Sequence, residues 1–84
     1  MMTPPEIDPI ALVLAKIRKL QRAASFQPFA IVTSSGQSYR IPTADHVTVM
    51  GLTHRIVIEF DDCTWVDLSP LHVTAVEVLP KPEA

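Results

Sequence analysis

Three histidines (His46, His54 and His72), one cysteine (Cys63) and the carboxylates Asp61, Asp62 and Asp67 are the side chains of this 84-residue chain best suited to ligate a metal or move a proton. A metal site within one segment needs histidines four apart on a helix or two apart on a strand, or paired cysteines. None of the three histidines has that spacing and Cys63 stands alone, so no metal or cofactor is expected. Cys63 with a distant histidine has the composition of a nucleophile and its base. It precedes Trp65 in an alternating pattern, however, which reads as a small core residue on a strand. Asp61-Asp62 between two apolar runs is turn chemistry. No catalytic residue is expected, and the chain reads as non-enzymatic.

Binding of single-stranded nucleic acid needs cations for phosphates and aromatic faces for bases. The aromatic residues are Phe26, Phe29, Tyr39, Phe60 and Trp65. Phe29 and Phe60 fall in apolar strand patterns and are assigned to the core, which leaves Tyr39, just after the turn at Gly36, as the candidate stacking residue. The cations are unevenly spread. Residues 1–40 hold Lys16, Arg18, Lys19, Arg22 and Arg40 against Glu6 and Asp8; residues 41–84 hold Arg55 and Lys81 against Asp45, Glu59, Asp61, Asp62, Asp67, Glu77 and Glu83. A net charge of −2 excludes a surface that clamps nucleic acid all round. A basic segment beside an acidic remainder can steer an anionic partner, or draw copies together head to tail.

These side chains must be held by one helix and a set of short strands. Asp8 is a good N-cap, and Pro9 fits the first helical position, where a missing N–H is harmless. Ile10, Val13, Leu14, Ile17, Leu20 and Ala24 then recur at helical spacing, which predicts a helix over 9–25 with one buried stripe. Leu12 falls off that stripe and is a candidate for exposed apolar surface or for a subunit contact. From Pro28 to Leu79 the period drops to about two and β-branched residues dominate. Strands are expected at 29–33, 38–41, 46–50, 55–60, 63–68 and 73–79, with a 3₁₀ or turn connection at Ser69–His72. Residues 1–7 and 80–84, rich in proline, read as frayed termini.

The fold class is therefore mainly β with one N-terminal α-helix, a small, strongly bent antiparallel sheet or partly open barrel in a single domain over 1–84. Two glycines in the whole chain exclude Gly-rich phosphate loops. The apolar run 9–15 is far short of the roughly 20 residues of a membrane span, and its cations follow it, the reverse of a secretory signal. With a single cysteine as well, no membrane partner is expected and the location reads as cytoplasmic. A strand meander leaves open edges that invite pairing with another chain. Self-association into a homo-oligomer is thus the first partner expected.

The N-terminal helix, the strand ending in Ser35-Gly36, the bent stretch Asp45-His46-Val47-Thr48-Val49, the hairpin at Asp61-Asp62 and the closing Leu68-Ser69-Pro70-Leu71-His72-Val73-Thr74-Ala75-Val76 together resemble the Sm-like (Hfq/Lsm-type) fold family. The resemblance spans about 9–79 and is one of layout more than of motif. Pro42 and Thr43 stand where that family has a second glycine, and no basic residue precedes His72. It implies an SH3-like or Sm-like barrel, a homo-oligomeric ring joined through strand edges, and single-stranded RNA as ligand. In such a ring Tyr39, Asp45, His46 and His72 would converge on the pore, while Arg18, Lys19 and Arg22 would share one face. The stretch Phe26-Gln27-Pro28-Phe29-Ala30-Ile31 with Gly36-Gln37-Ser38-Tyr39 is also similar to small uncharacterised bacterial proteins built of a helix and a strand meander; that similarity implies no activity.

Overall fold

A computed structural model describes residues 8–80; the expectations for 1–7 and for 81–84 lie outside the described residues. The helix α1 runs Pro9–Gln21. Asp8 caps it, its Oδ1 accepting from the Ile10 amide at 3.0 Å, and Pro9 occupies the first helical position. Arg18 and Lys19 lie in the last turn, where the helix end is electronegative. Leu14 and Ile17 are buried, and Ile10, Val13 and Leu20 pack beside them. The helix stops four residues earlier than its periodicity predicts, and Ala24 is exposed. Pro28 biases Gln27 away from helical geometry, and the chain turns out of the helix axis so that Phe26 can pack on Phe29, ring centres 5.9 Å apart.

Six strands follow: β1 Phe29–Thr33, β2 Ser38–Ile41, β3 Val47–Met50, β4 Arg55–Glu59, β5 Trp65–Leu68 and β6 Val73–Val78. Short 3₁₀ turns, Ala44–His46 and Pro70–His72, precede β3 and β6. They form two three-stranded antiparallel sheets, β2-β1-β6 and β3-β4-β5. The expected fold class is what the structure has, mainly β with an N-terminal helix, and neither sheet closes into a barrel.

Phe29 and Ile31 of β1 and Ile56 and Ile58 of β4, on the central strands, are fully buried and face the same core as Leu14 and Ile17. Helix α1 touches β6 of one sheet and β3 of the other, so it covers both. Each large aliphatic or aromatic side chain sealed in this way contributes about 1.5–3 kcal/mol.

Candidate functional site

Two hairpins share one turn design. At β1–β2 the Thr33 amide donates to Gln37 O and the Gly36 amide to Thr33 O, both at 2.9 Å, and Gly36 has φ +88°. At β4–β5 the Phe60 amide donates to Thr64 O at 2.8 Å and the Cys63 amide to Phe60 O at 3.1 Å, and Cys63 has φ +68°. The fourth residue of such a five-residue turn must be left-handed, a place for glycine. Cys63 occupies it, so the cysteine is exposed at the hairpin tip, and the expectation of a small core residue on a strand is corrected. Phe60 leaves the core for the same reason. Once β4 ends at Glu59 its ring is 37% exposed and stands 6.3 Å from that of Tyr39. Asp62 holds the turn by accepting from the Thr64 hydroxyl and, at 3.1 Å, from the Thr64 amide. These two bonds, the hydroxyl first, hold the Asp62 carboxyl below the usual carboxylate range.

Of the sequence-predicted site residues, Tyr39 and His72 are brought together. They line a cleft of about 420 Å³ with Thr33, Ser34, Ser35, Arg55, Asp67, Leu68 and Ser69. Arg55 Nε donates to Asp67 Oδ1 at 2.8 Å, and both side chains are close to half exposed. Among the described residues the terminal nitrogens of Arg55 make no other hydrogen bond, so they remain available to an anion. The Tyr39 hydroxyl donates to Gln37 Oε1, which orients the ring at the cleft mouth. Hydroxyls, one guanidinium, one imidazole, one carboxylate and one aromatic ring line the cleft beside Leu68, so it offers polar groups on a partly apolar wall. Arg55 joins the cleft without being among the residues expected there. Its signal is the cross-strand register, which sets Met50 opposite Arg55 on one side and Asp67 diagonally on the other.

Asp45 and His46 lie elsewhere. His46 closes the 3₁₀ turn before β3, its Nδ1 2.7 Å from Thr43 Oγ1 and its Nε2 2.8 Å from Asp61 Oδ1. The chain Thr43–His46–Asp61 has the connectivity of a hydroxyl, a base and an acid. None of the three lines the cleft of Tyr39 and His72, and the bonds tie the β4–β5 hairpin to the β2–β3 junction. The convergence expected at a ring pore is one between copies; within one chain the cleft holds Tyr39 and His72 and not Asp45 or His46. The 3₁₀ turn carries the other two away.

The basic residues divide as well. Arg18 reaches toward the β3–β4 turn, its Nη2 only 2.7 Å from where a Cβ on Gly51 would sit. Lys19 borders a cleft of about 250 Å³ with Lys16, Leu20 and Val76, against β6. Arg22 caps the C-terminus of α1 and is exposed. Arg18 and Lys19 are one residue apart, about 100° around a helix, so they reach different neighbours from adjacent sides of α1.

The chain crosses between the two sheets at β2–β3 and again at β5–β6, and the residues along these two seams differ in burial. At the β2–β3 junction Ile41 and Val47 are sealed, at 0% and 1% exposure. Along β5 and β6 the inward residues Val66, Leu68, Val73 and Val76 are only half-buried, and Val78 is 50% exposed. Both strands are sheet edges. Hydrogen-bonded pairs alternate along an antiparallel ladder, so one bonded pair sets the direction of every amide. The bond from Leu79 N to Pro28 O points the amides of Val76 and Val78 outward from β6. By the same count, the bond from Phe60 N to Thr64 O points those of Trp65 and Asp67 outward from β5.

Among the described residues no helix is long and apolar enough to cross a membrane, and no group of three or more His, Cys, Asp or Glu side chains is placed to hold a metal ion. Comparison with protein-family models, with curated proteins and with solved structures finds no match to the chain.

Proposed function

We propose that this chain is a non-enzymatic, Sm-like module that assembles from copies of itself into a ring, the edge of β5 in one copy pairing with the edge of β6 in the next. The observation that carries this reading is the contrast between the two seams. The β2–β3 junction is sealed, whereas β5 and β6 present outward amides beside half-buried valines and leucine. An edge with free donors and apolar neighbours gains most from another strand. The free, exposed Cys63 thiol suits the reducing cytoplasm, where this reading places the protein.

Single-stranded RNA is the ligand class proposed for the cleft, with a base stacked on Tyr39 and phosphate oxygens near Arg55 and His72. Arg18, Lys19 and Arg22 would add general attraction, and Asp45 and His46 belong to the scaffold. Light scattering on the purified chain tests assembly: a pentamer to heptamer supports the ring, and a monomer removes it. Fluorescence anisotropy with oligo-U and oligo-A at low salt tests the ligand, because electrostatic binding is strongest there. A ring that binds neither oligonucleotide leaves the second reading, a protein-interaction scaffold without nucleic acid. Glu59, Asp61 and Asp62 favour that alternative, since they make the hairpin end a surface that repels phosphate.

A further inference from the structure

The proposed pairing of β5 with β6 has a stereochemical consequence for Trp65. On β5 the residues whose amides point outward, Trp65 and Asp67, carry side chains on the outer face of their sheet, because their neighbours Val66 and Leu68 face the core. On β6 the outward amides belong to Val76 and Val78, which sit opposite Ile31 and Phe29 and so carry side chains on the inner face, the one α1 covers. Residues bonded to one another across an antiparallel pair have side chains on the same face. Any antiparallel pairing of these two edges therefore places Trp65 of one copy on the helix side of its neighbour's β6, directly opposite Val76 or diagonal to it.

That position holds a fitting receptor. Trp65 is 69% exposed, a large cost for a lone indole at a sheet edge. The groove of about 250 Å³ between α1 and β6 has Leu20 and Val76 as apolar lining and Lys16 and Lys19 as cationic lining. An indole face suits an ammonium group, and Glu59, the cross-strand partner of Trp65, brings a carboxylate to the same place. We infer that the occupant of this groove is the Trp65 side chain of a second copy of the chain, with Glu59 facing Lys16 or Lys19. The contact is heterologous, since knob and groove lie on different edges, so it propagates from copy to copy and closes only as a ring. This inference rests on the β5–β6 reading and specifies what locks it.

Trp65 is the sole tryptophan, so its emission reports the site directly. The test compares wild type, Trp65→Ala, Lys19→Glu, Glu59→Lys and the edge-blocking Val78→Pro by sedimentation velocity, with acrylamide quenching for the chains that retain Trp65. Expected are assembly of the wild type with a blue-shifted, protected indole, and assembly about tenfold or more weaker for Trp65→Ala, as for loss of a central aromatic anchor. Lys19→Glu and Glu59→Lys should each assemble poorly alone and assemble together when mixed. If the wild type assembles, Val78→Pro does not, and Trp65 stays fully quenchable with Trp65→Ala assembling as tightly, the inference is overturned while the edge pairing stands. A wild type that is monomeric at every concentration overturns both.

Discussion

Gln21, the last residue of α1, donates its side-chain amide to the carbonyl of Val47, the first residue of β3, at 2.6 Å. The second hydrogen of the same amide reaches Ala44 O at 3.1 Å. One side chain thus ties the helix C-terminus to the 3₁₀ turn that separates the two sheets, and it does so beside Ile41 and Val47, where the seam is sealed. Gln21→Ala should orphan two partly buried carbonyls and cost about 1–3 kcal/mol. Gln21→Glu should cost more, because a carboxylate would face two carbonyl oxygens. Urea unfolding of the two variants checks both the size and the order.

Cys63 predicts a gain. A left-handed backbone costs an L-residue roughly 1–2 kcal/mol, and glycine returns part of any gain through its freer unfolded chain. Cys63→Gly should therefore stabilise the hairpin by about 0.5–1 kcal/mol, and Gly36→Ala, at the equivalent position of the first hairpin, should destabilise by a similar amount. Thermal denaturation should show melting temperatures moving in opposite directions.

Ile58 is fully buried at the centre of β4, between Val47 and Val66. Ile58→Asp should abolish the fold, since an unpaired carboxylate at that position has no hydrogen-bond partner and no water. A cooperative thermal transition near that of the wild type would contradict the strand register.

Asp62 links the β4–β5 hairpin to pH. Its carboxyl is held below the usual range in the folded chain, chiefly by the Thr64 hydroxyl. Its contribution is therefore present above about pH 4, the ordinary value of an aspartate, and is lost as pH falls through the lowered folded value. Asp62→Asn should lower stability at neutral pH and narrow the gap to wild type in acid. Denaturant midpoints measured at both ends of that range decide it; a gap that widens in acid contradicts the assignment.

Much of the architecture was legible in the residues, and the exceptions share a cause. Asp8-Pro9 announced the helix start, and alternation in 55–59 announced β4, because caps and burial period are local properties. The apolar stripe continues to Ala24 and so does not mark the helix end, which the chain makes earlier as it turns toward β1 and packs Phe26 on Phe29. Asp61-Asp62 reads as a two-residue reversal that leaves Phe60 and Cys63 on the flanking strands, whereas the turn spans five residues and takes in both. In the cleft, Tyr39 and His72 were singled out by residue type, whereas Arg55 enters through the register of three strands. Asp45 and His46 follow Tyr39 closely in sequence, yet the 3₁₀ turn directs His46 to Asp61 instead. Trp65 reads as part of an alternating strand; the parity of the β4–β5 ladder puts its side chain on the outer face of the sheet and its amide on the open edge.

On the proposed reading, copies of this chain complete one another along β5 and β6. Size-exclusion chromatography with light scattering, run on wild type and Val78→Pro across a range of concentrations, tests it most directly. Expected are a pentamer to heptamer for the wild type and a folded 9.3 kDa monomer for Val78→Pro, whose outward amide is removed without touching the β1–β6 ladder. A wild type that elutes as a monomer throughout, or a Val78→Pro variant that assembles as the wild type does, would contradict it.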